Sequence, residues 1–291
     1  MKIGVLGFLT EQSGDPGAMA REAENLGFES IWFAEHLVMP TNYTTYYPRG
    51  AGGKVPEFYA HLIDPFVALA IAAHATTRIR IGTGICLLPE RNVIETAKVT
   101  ASIDLYSKGR LTLGIGAGWF PEEAAIMGVN FPRRWKHLRE SVEALRTLWG
   151  KDDVGYDGEI VKFPPVRLYP KPVQKPGPPI LLGAHDPKYA LKRVARYADG
   201  WCPGGLSVEK ARECIPQIRQ MAKEFGRDPA KLEFSVLLMG GEAGGPTADV
   251  MKQYQEAGVS RLMVAAASSA AGDGVKAVRE VAAVAERGAK V

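Results

Sequence analysis

The chain has 291 residues, 46% of them hydrophobic, enough to bury a full core in one large domain or two small ones. Its 36 basic and 32 acidic residues are spread along the whole length, and no long run of one sign underlies the net charge of +4, which argues against nucleic acid or an anionic membrane as partner. Three scattered cysteines, Cys86, Cys202 and Cys214, fit neither a disulfide framework nor a Cys-x-x-Cys zinc site. With no apolar span near 20 residues and no secretory pattern, a soluble, cytoplasmic protein with reduced thiols is expected.

The N-terminal Lys2-Ile-Gly-Val-Leu-Gly-Phe8 reads as a strand and residues 17–26 as a helix. Gly27 ends that helix and the chain returns as a second strand through Ile31, Trp32 and Phe33. The same order of helix, glycine and strand recurs at residues 254–264 and, more loosely, at 196–202. Residues 37–64 break the rhythm, carrying Tyr43, Tyr46, Tyr47, Arg49 and Tyr59 amid glycine and proline. A loop of that length after a strand is expected to act as a lid. A helix at 65–75, a third strand at 79–87 and a helix at 92–106 follow.

Residues 109–123 carry the strongest local signal. Leu111, Leu113 and Ile115 alternate with Thr112, Gly114 and Gly116, the period of two that marks a strand. The apolar set is predicted to pack against helices, and the small set to face a crowded interior. The turn Gly116-Ala117-Gly118 leaves bare backbone for a ligand to approach, and Pro121-Glu122-Glu123 opens a helix. It is not a dinucleotide fingerprint, because Trp119 stands where the third glycine would fall.

Farther on, Trp135, Leu138, Val142, Leu145 and Leu148 define one face of a helix at 134–149. Residues 153–179 predict a hairpin turning at Tyr156-Asp157-Gly158, then a proline-rich return. Strands at 180–183, around Trp201 and Cys202, at 232–237 and at 261–264 alternate with helices at 187–197, 208–225, 247–256 and 275–286. Eight strands alternating with helices predict an α/β chain folded as one (β/α)8 TIM barrel domain over 1–291, with insertions at 37–64 and 153–179. A doubly wound open sheet is the alternative.

In such a barrel, ligands bind at the C-terminal ends of the strands. Gly183-Ala184-His185-Asp186-Pro187-Lys188 joins a strand to a helix that has proline in its first turn, a geometry that offers backbone N–H groups to an anion. Asp186 suits an N-cap as well as a ligand contact. Lys188, Lys192 and Arg196 share a helix face by their spacing of four, which is either a solvated stripe or an anion-attracting one. Trp119, Phe120, Tyr43, Tyr46 and Tyr47 suit an apolar substrate pocket or plain rim packing. The segments 240–246 and 265–274 are small and glycine-rich, with no acid, base or metal ligand in evidence, and no nucleophilic triad or metal cluster suggests itself.

Several motifs, in order, now resemble one family. They are Ser30-Ile-Trp-Phe-Ala-Glu-His36, Ile81-Gly-Thr-Gly-Ile-Cys-Leu-Leu-Pro89, Ser107-Lys-Gly-Arg-Leu-Thr-Leu-Gly-Ile-Gly-Ala-Gly-Trp119, Pro170-Lys-Pro-Val-Gln174, Pro179-Ile-Leu-Leu-Gly183 and Ala198-Asp-Gly-Trp201. Together they resemble the bacterial-luciferase-like superfamily of flavin- and deazaflavin-dependent oxidoreductases over nearly the whole chain. They are most similar to the branch that uses coenzyme F420, a 5-deazaflavin with a phosphate and an oligoglutamate tail. Sibling branches use FMN.

The resemblance implies that Thr83, Gly84 and Ile85 form a strand bulge with a non-proline cis peptide behind the cofactor ring. It places His36 beside the reactive edge as a catalytic proton donor, with Glu35 orienting it or accepting a hydrogen bond from the cofactor. Ala117 and Gly118 then complete the pocket wall, and Gly183, Ala184, His185 and Lys188 surround the phosphate. An oligoglutamate tail would be drawn to Lys188, Lys192 and Arg196. Two positions depart from the sugar-phosphate dehydrogenases of the family: Trp119 replaces their catalytic glutamate and Pro40 a tryptophan, so sugar-phosphate oxidation is not expected. The implied activity is hydride exchange between coenzyme F420 and a small organic substrate in a homodimer. The alternatives are an FMN-dependent monooxygenase served by a partner reductase, and a protein that holds the cofactor without turnover.

Overall fold

The computed structural model describes residues 1–47, 53–238 and 246–289, and within 284–289 the backbone alone. Arg49 and the glycines of 240–245 therefore lie outside the described residues. In chain order the elements are β1 (Lys2–Gly7), α1 (Pro16–Asn25), β2 (Ser30–Phe33), α2 (Pro65–Ala75), β3 (Arg80–Thr83), β4 (Cys86–Leu87), α3 (Val93–Tyr106) and β5 (Leu111–Gly116). After them come α4 (Pro121–Ile126), α5 (Arg134–Gly150), β6 (Val154–Asp157), β7 (Lys162–Val166), β8 (Ile180–Leu182), α6 (Pro187–Tyr197), β9 (Gly200–Trp201) and α7 (Val208–Glu224). The last are β10 (Glu233–Leu238), α8 (Ala248–Glu256), β11 (Arg261–Ala266) and α9 (Gly274–Ala289).

The strands pair in parallel in the order β3-β2-β1-β11-β10-β9-β8-β5, and β5 returns to β3 through Ile81↔Leu111 and Gly82↔Thr112. The sheet is thus a closed eight-stranded barrel surrounded by helices, which excludes the open-sheet alternative. The predicted third strand is divided. β3 ends at Thr83, the Gly84–Ile85 peptide is cis, and β4 resumes at Cys86 against Ile115. The hairpin β6–β7 is present, but Tyr156 and Asp157 belong to its first strand and the turn begins at Gly158, whose N–H reaches Val161 O at 2.9 Å. Pairing Tyr156 with Phe163 stacks their rings, which extends the strand past the expected turn.

Alternation along β5 sorts its residues as the pattern requires. Leu111, Leu113 and Ile115 join the outer core with Leu138, Val142 and Leu145 of α5. Burying each such side chain stabilises by about 1.5–3 kcal/mol. A smaller inner core of Leu6, Phe8, Trp32, Leu181, Cys202 and Met263 fills the barrel. Trp32 needs so much room that a Cβ on Gly82 would overlap its indole. At the N-terminal ends of the strands, Arg261 is 1% exposed and clamped by Glu29 at 2.7 Å and Glu233 at 2.5 Å. That charged cluster sits at the bottom of the barrel, at the end opposite the C-terminal face.

Candidate active site

A cavity of about 520 Å³ occupies that face, within the range of small-molecule sites. One wall is nearly bare of side chains, built from Gly84, Gly116, Ala117, Gly118, Gly183 and Ala184. Ile85 explains why. Its side chain lies where a Cβ on Gly116 would overlap Cδ1, and where a Cβ on Gly183 would come within 2.8 Å of Cγ2. The glycines of two neighbouring strands make a notch that accepts Ile85, leaving a smooth apolar ledge toward the cavity.

His36 lines the opposite side and is 9% exposed. Its Nδ1 lies 2.5 Å from Oε2 of Glu123, which is fully buried in the first turn of α4. The other Glu123 oxygen accepts from Leu37 N at 2.8 Å and more weakly from Val38 N at 3.4 Å. On the far side of the ring, Trp119 Nε1 lies 3.4 Å from His36 Nε2. Indole N–H can only donate, so Nε2 accepts and Nδ1 carries the hydrogen directed at Glu123. The imidazole is thereby held in one tautomer, with its Nε2 lone pair on the Trp119 indole that also lines the cavity.

Glu35 points away from the cavity centre. It accepts from Leu87 N at 2.6 Å and from Arg91 Nε at 2.7 Å, and Arg91 also holds Asp64 at 2.6 Å. These bonds fix the end of β4 and the entrance of α2, giving Glu35 a positioning function in the structure. Beneath Gly118 lies a third acid, Glu90, 4% exposed and with no hydrogen-bond partner for either oxygen among the described residues. Burial, aided by the charges of Glu123 and Glu35, pushes its carboxyl up to about 8. A Cβ on Gly118, where φ is +79°, would stand 2.6 Å from the Glu90 Oε1.

The lid segment covers one side. Tyr47 and Tyr59 line the cavity and share a hydroxyl contact of 3.0 Å. Glu122 tethers the loop by accepting from Thr44 N at 2.8 Å and Thr45 Oγ1 at 2.6 Å, and these bonds hold its carboxyl down at about 2.

Not all residues singled out in the sequence converge. Thr83 donates its hydroxyl to Gly114 O at 2.6 Å, behind the cavity wall. Tyr43 packs edge-on against Phe120, and Phe120 is fully buried behind Trp119, so the cavity is lined by Trp119 and Tyr47 but not by Tyr43 or Phe120. Tyr46 is 67% exposed on the outer face of the loop. Asp186 caps α6 by accepting from Lys188 N at 2.9 Å, and its carbonyl accepts from Tyr189 N at 3.0 Å. Two first-turn donors expected for an anion are therefore occupied, and the Lys188 ammonium lies over the Tyr189 ring instead of in the cavity. Gly183, Ala184 and His185 do line it, with His185 Nδ1 against Gly204 O.

Glu123, Arg134, Trp135 and Tyr189 are members of the site that sequence reasoning had not assigned. Arg134 brings a cation to the cavity wall. It donates to Gly118 O at 3.2 Å and Phe131 O at 3.0 Å, and has no carboxylate partner among the described residues. No cluster of three metal-ligating side chains occurs among the described residues.

A glycine-ledged cavity at the mouth of a parallel barrel, with a histidine held on a buried acid, defines a small-molecule enzyme of the (β/α)8 class. The particular family follows from comparison: residues 10–280 match the luciferase-like monooxygenase family, and the chain belongs to it. An uncharacterized protein of Mycobacterium tuberculosis is 34% identical over 288 residues, 97% of this chain and 98% of its own. The oxygenase component of the flavin-dependent trigonelline monooxygenase of Acinetobacter baylyi is 34% identical over 167 residues, 57% of this chain and 41% of that protein. The F420-dependent hydroxymycolic acid dehydrogenase of M. tuberculosis is 28% identical over 218 residues, 74% of this chain and 55% of that protein. Among the described residues no helix is long and apolar enough to cross a membrane.

Proposed function

We propose that the protein transfers hydride between coenzyme F420 and a small organic alcohol or carbonyl compound, with His36 moving the accompanying proton. The observation that carries this reading is the tautomer of His36 fixed by the Glu123 bond, which leaves Nε2 an acceptor, met in this structure by the Trp119 N–H at the cavity wall. A planar ring suits the ledge because Gly116 and Gly183 make room for Ile85 and the wall of Gly84, Gly116, Gly118 and Gly183 carries no side chain of its own. Ile85, Ala117 and Ala184 would back the ring, and Arg134 is the group suited to its phosphate. When bound, the deazaflavin supplies a carbon centre that accepts or gives up a hydride.

In the oxidising direction His36 Nε2 would exchange the Trp119 N–H for the substrate hydroxyl and take its proton as the alcohol becomes a carbonyl. The imidazolium so formed is stabilised by Glu123, and in the reducing direction it returns the proton to oxygen. Tyr47, Tyr59 and Trp119 keep bulk water from the reacting atoms. The F420-dependent mycobacterial relative supports this choice of cofactor.

The flavin-dependent relative favours a second reading: reduced FMN, delivered by a partner reductase, activating oxygen in the same cavity. Homodimer formation belongs to either reading. The test is to offer oxidised coenzyme F420 with a panel of secondary alcohols, and reduced coenzyme F420 with ketones and enones, following the deazaflavin absorbance. Turnover that is lost in His36→Gln is expected. Oxygen consumption with reduced FMN, and none with the deazaflavin, would replace this reading with the second. Tight cofactor binding with no turnover of any acceptor would indicate a cofactor-holding protein.

A further inference from the structure

We propose that the cleft between α5 and α6, outside the cavity mouth, binds the oligocarboxylate tail of the cofactor. This rests on the deazaflavin reading above. The cleft measures about 280 Å³ and is lined by Lys136, Arg139, Lys192, Arg193 and Arg196 together with Trp135 and Tyr197, without a single carboxylate. Five cations crowd one another there at an electrostatic cost that an anion would relieve.

Local acids neutralise only part of this charge. Lys136 is paired with Glu159, and Arg139 with Glu143 at 2.8 Å. Arg193 donates to Tyr189 O at 2.6 Å and lies 4.7 Å over the Trp135 ring. Lys192 and Arg196 have no carboxylate within ion-pair distance among the described residues.

A second feature is independent of charge. Tyr197 is 5% exposed, yet its hydroxyl has no hydrogen-bond partner among the described residues. Buried hydroxyls are nearly always satisfied. Burial pushes this phenol up to about 12, so it remains an O–H donor at neutral pH. A donor without an acceptor in a cationic cleft is suited to a carboxylate oxygen.

The cleft also adjoins the cavity. Trp135 lines both, and Tyr189, which lines the cavity, stacks on Trp135 at 6.0 Å with planes 9° apart. These two rings form the sill between the spaces. From Tyr189 to Arg196 the helix rises about 10 Å, the span of roughly three extended residues. A chain of carboxylates leaving the cavity over this sill would meet Arg193, Lys192 and Arg196 in turn. Lys188, grouped with that face in the sequence, does not line the cleft; Lys136 and Arg139 of α5 supply its other bank.

The experiment compares binding of coenzyme F420 bearing several glutamates with its tail-free, phosphate-bearing form, by fluorescence titration at low and high salt. Wild type, Lys192→Ala/Arg196→Ala and Tyr197→Phe are used; the first two positions are exposed, so the double variant should fold. The tailed form is expected to bind about tenfold tighter to wild type. That advantage should shrink in salt and vanish in the double variant, while tail-free binding stays unchanged. Equal affinity of the two forms, or an advantage that survives the double substitution, would overturn the inference. A pentaglutamate peptide alone separates this from failure of the deazaflavin reading. Saturable perturbation of tryptophan fluorescence, lost in the double variant, supports the cleft even if no deazaflavin binds. Absence of any response at millimolar peptide in a protein that binds no deazaflavin overturns both.

Discussion

Glu123 Oε2 lies 2.5 Å from His36 Nδ1, so a buried carboxylate on α4 sets the direction of an imidazole at the end of β2. Replacing Glu123 with Gln keeps the shape but allows the amide to present either an N–H or an oxygen, so the tautomer is no longer fixed. Turnover should fall about 100-fold, in the range usual for a proton-transfer group. Cofactor affinity should be little altered, and Glu123→Asp should keep part of the rate. Steady-state kinetics with parallel cofactor titration check this; a rate unchanged in Glu123→Gln would remove the tautomer argument.

Glu90 gives a pH dependence of stability. Its folded carboxyl titrates near 8 against an ordinary value of 4.5, so between these limits the native state binds the extra proton. Stability contributed by the protonated form is complete below the ordinary value and is lost as pH rises through 8. Glu90→Gln should therefore match wild type near pH 5 and exceed it at pH 8.5 by roughly 2–4 kcal/mol. Urea unfolding at both pH values measures the difference.

The Ile85 notch predicts a coupled pair of substitutions. Gly116→Ala forces the new methyl into Ile85 and should cost about 1–3 kcal/mol, with weaker cofactor binding. In an Ile85→Ala background the same change should cost clearly less, because the overlapping atoms are gone. A double-mutant cycle in chemical denaturation gives the coupling energy.

Loop closure rests on the Glu122 tether. Glu122→Ala removes the acceptor of Thr44 N, Thr45 N and Thr45 Oγ1, and should raise KM more than it lowers kcat. Limited proteolysis should also cut near Tyr46 and Tyr47 faster than in wild type.

The barrel could be read from the chain because β5 carries a clear alternation and helices such as α1 and α8 end in a glycine stop at Gly27 and Gly258. Leu111, Leu113 and Ile115 face the helices for the reason their spacing gave, while the occupants facing Gly114 and Gly116 became visible only once Thr83 and Ile85 were placed. His36 was legible as a motif residue; its partner was not. Glu123 is 87 residues away along the chain, and only barrel closure with the α4 turn brings the two together. The one available signal was an acidic pair behind a proline at a helix start following a glycine-lined turn. Arg134 is illegible for a similar reason: the pattern of its helix marks only the apolar face, and Arg134 begins that helix at the cavity rim. Lys188 shows the converse limit: spacing put it on a cationic face, but Asp186 takes its N–H and Tyr189 its ammonium.

The most direct measurement is an equilibrium titration of the purified protein with coenzyme F420 and, separately, with FMN, read from the fluorescence of each ring. Saturable quenching of the deazaflavin is expected, weakened by Gly116→Val, with little response from FMN. Saturable binding of FMN with none of the deazaflavin would contradict the deazaflavin reading.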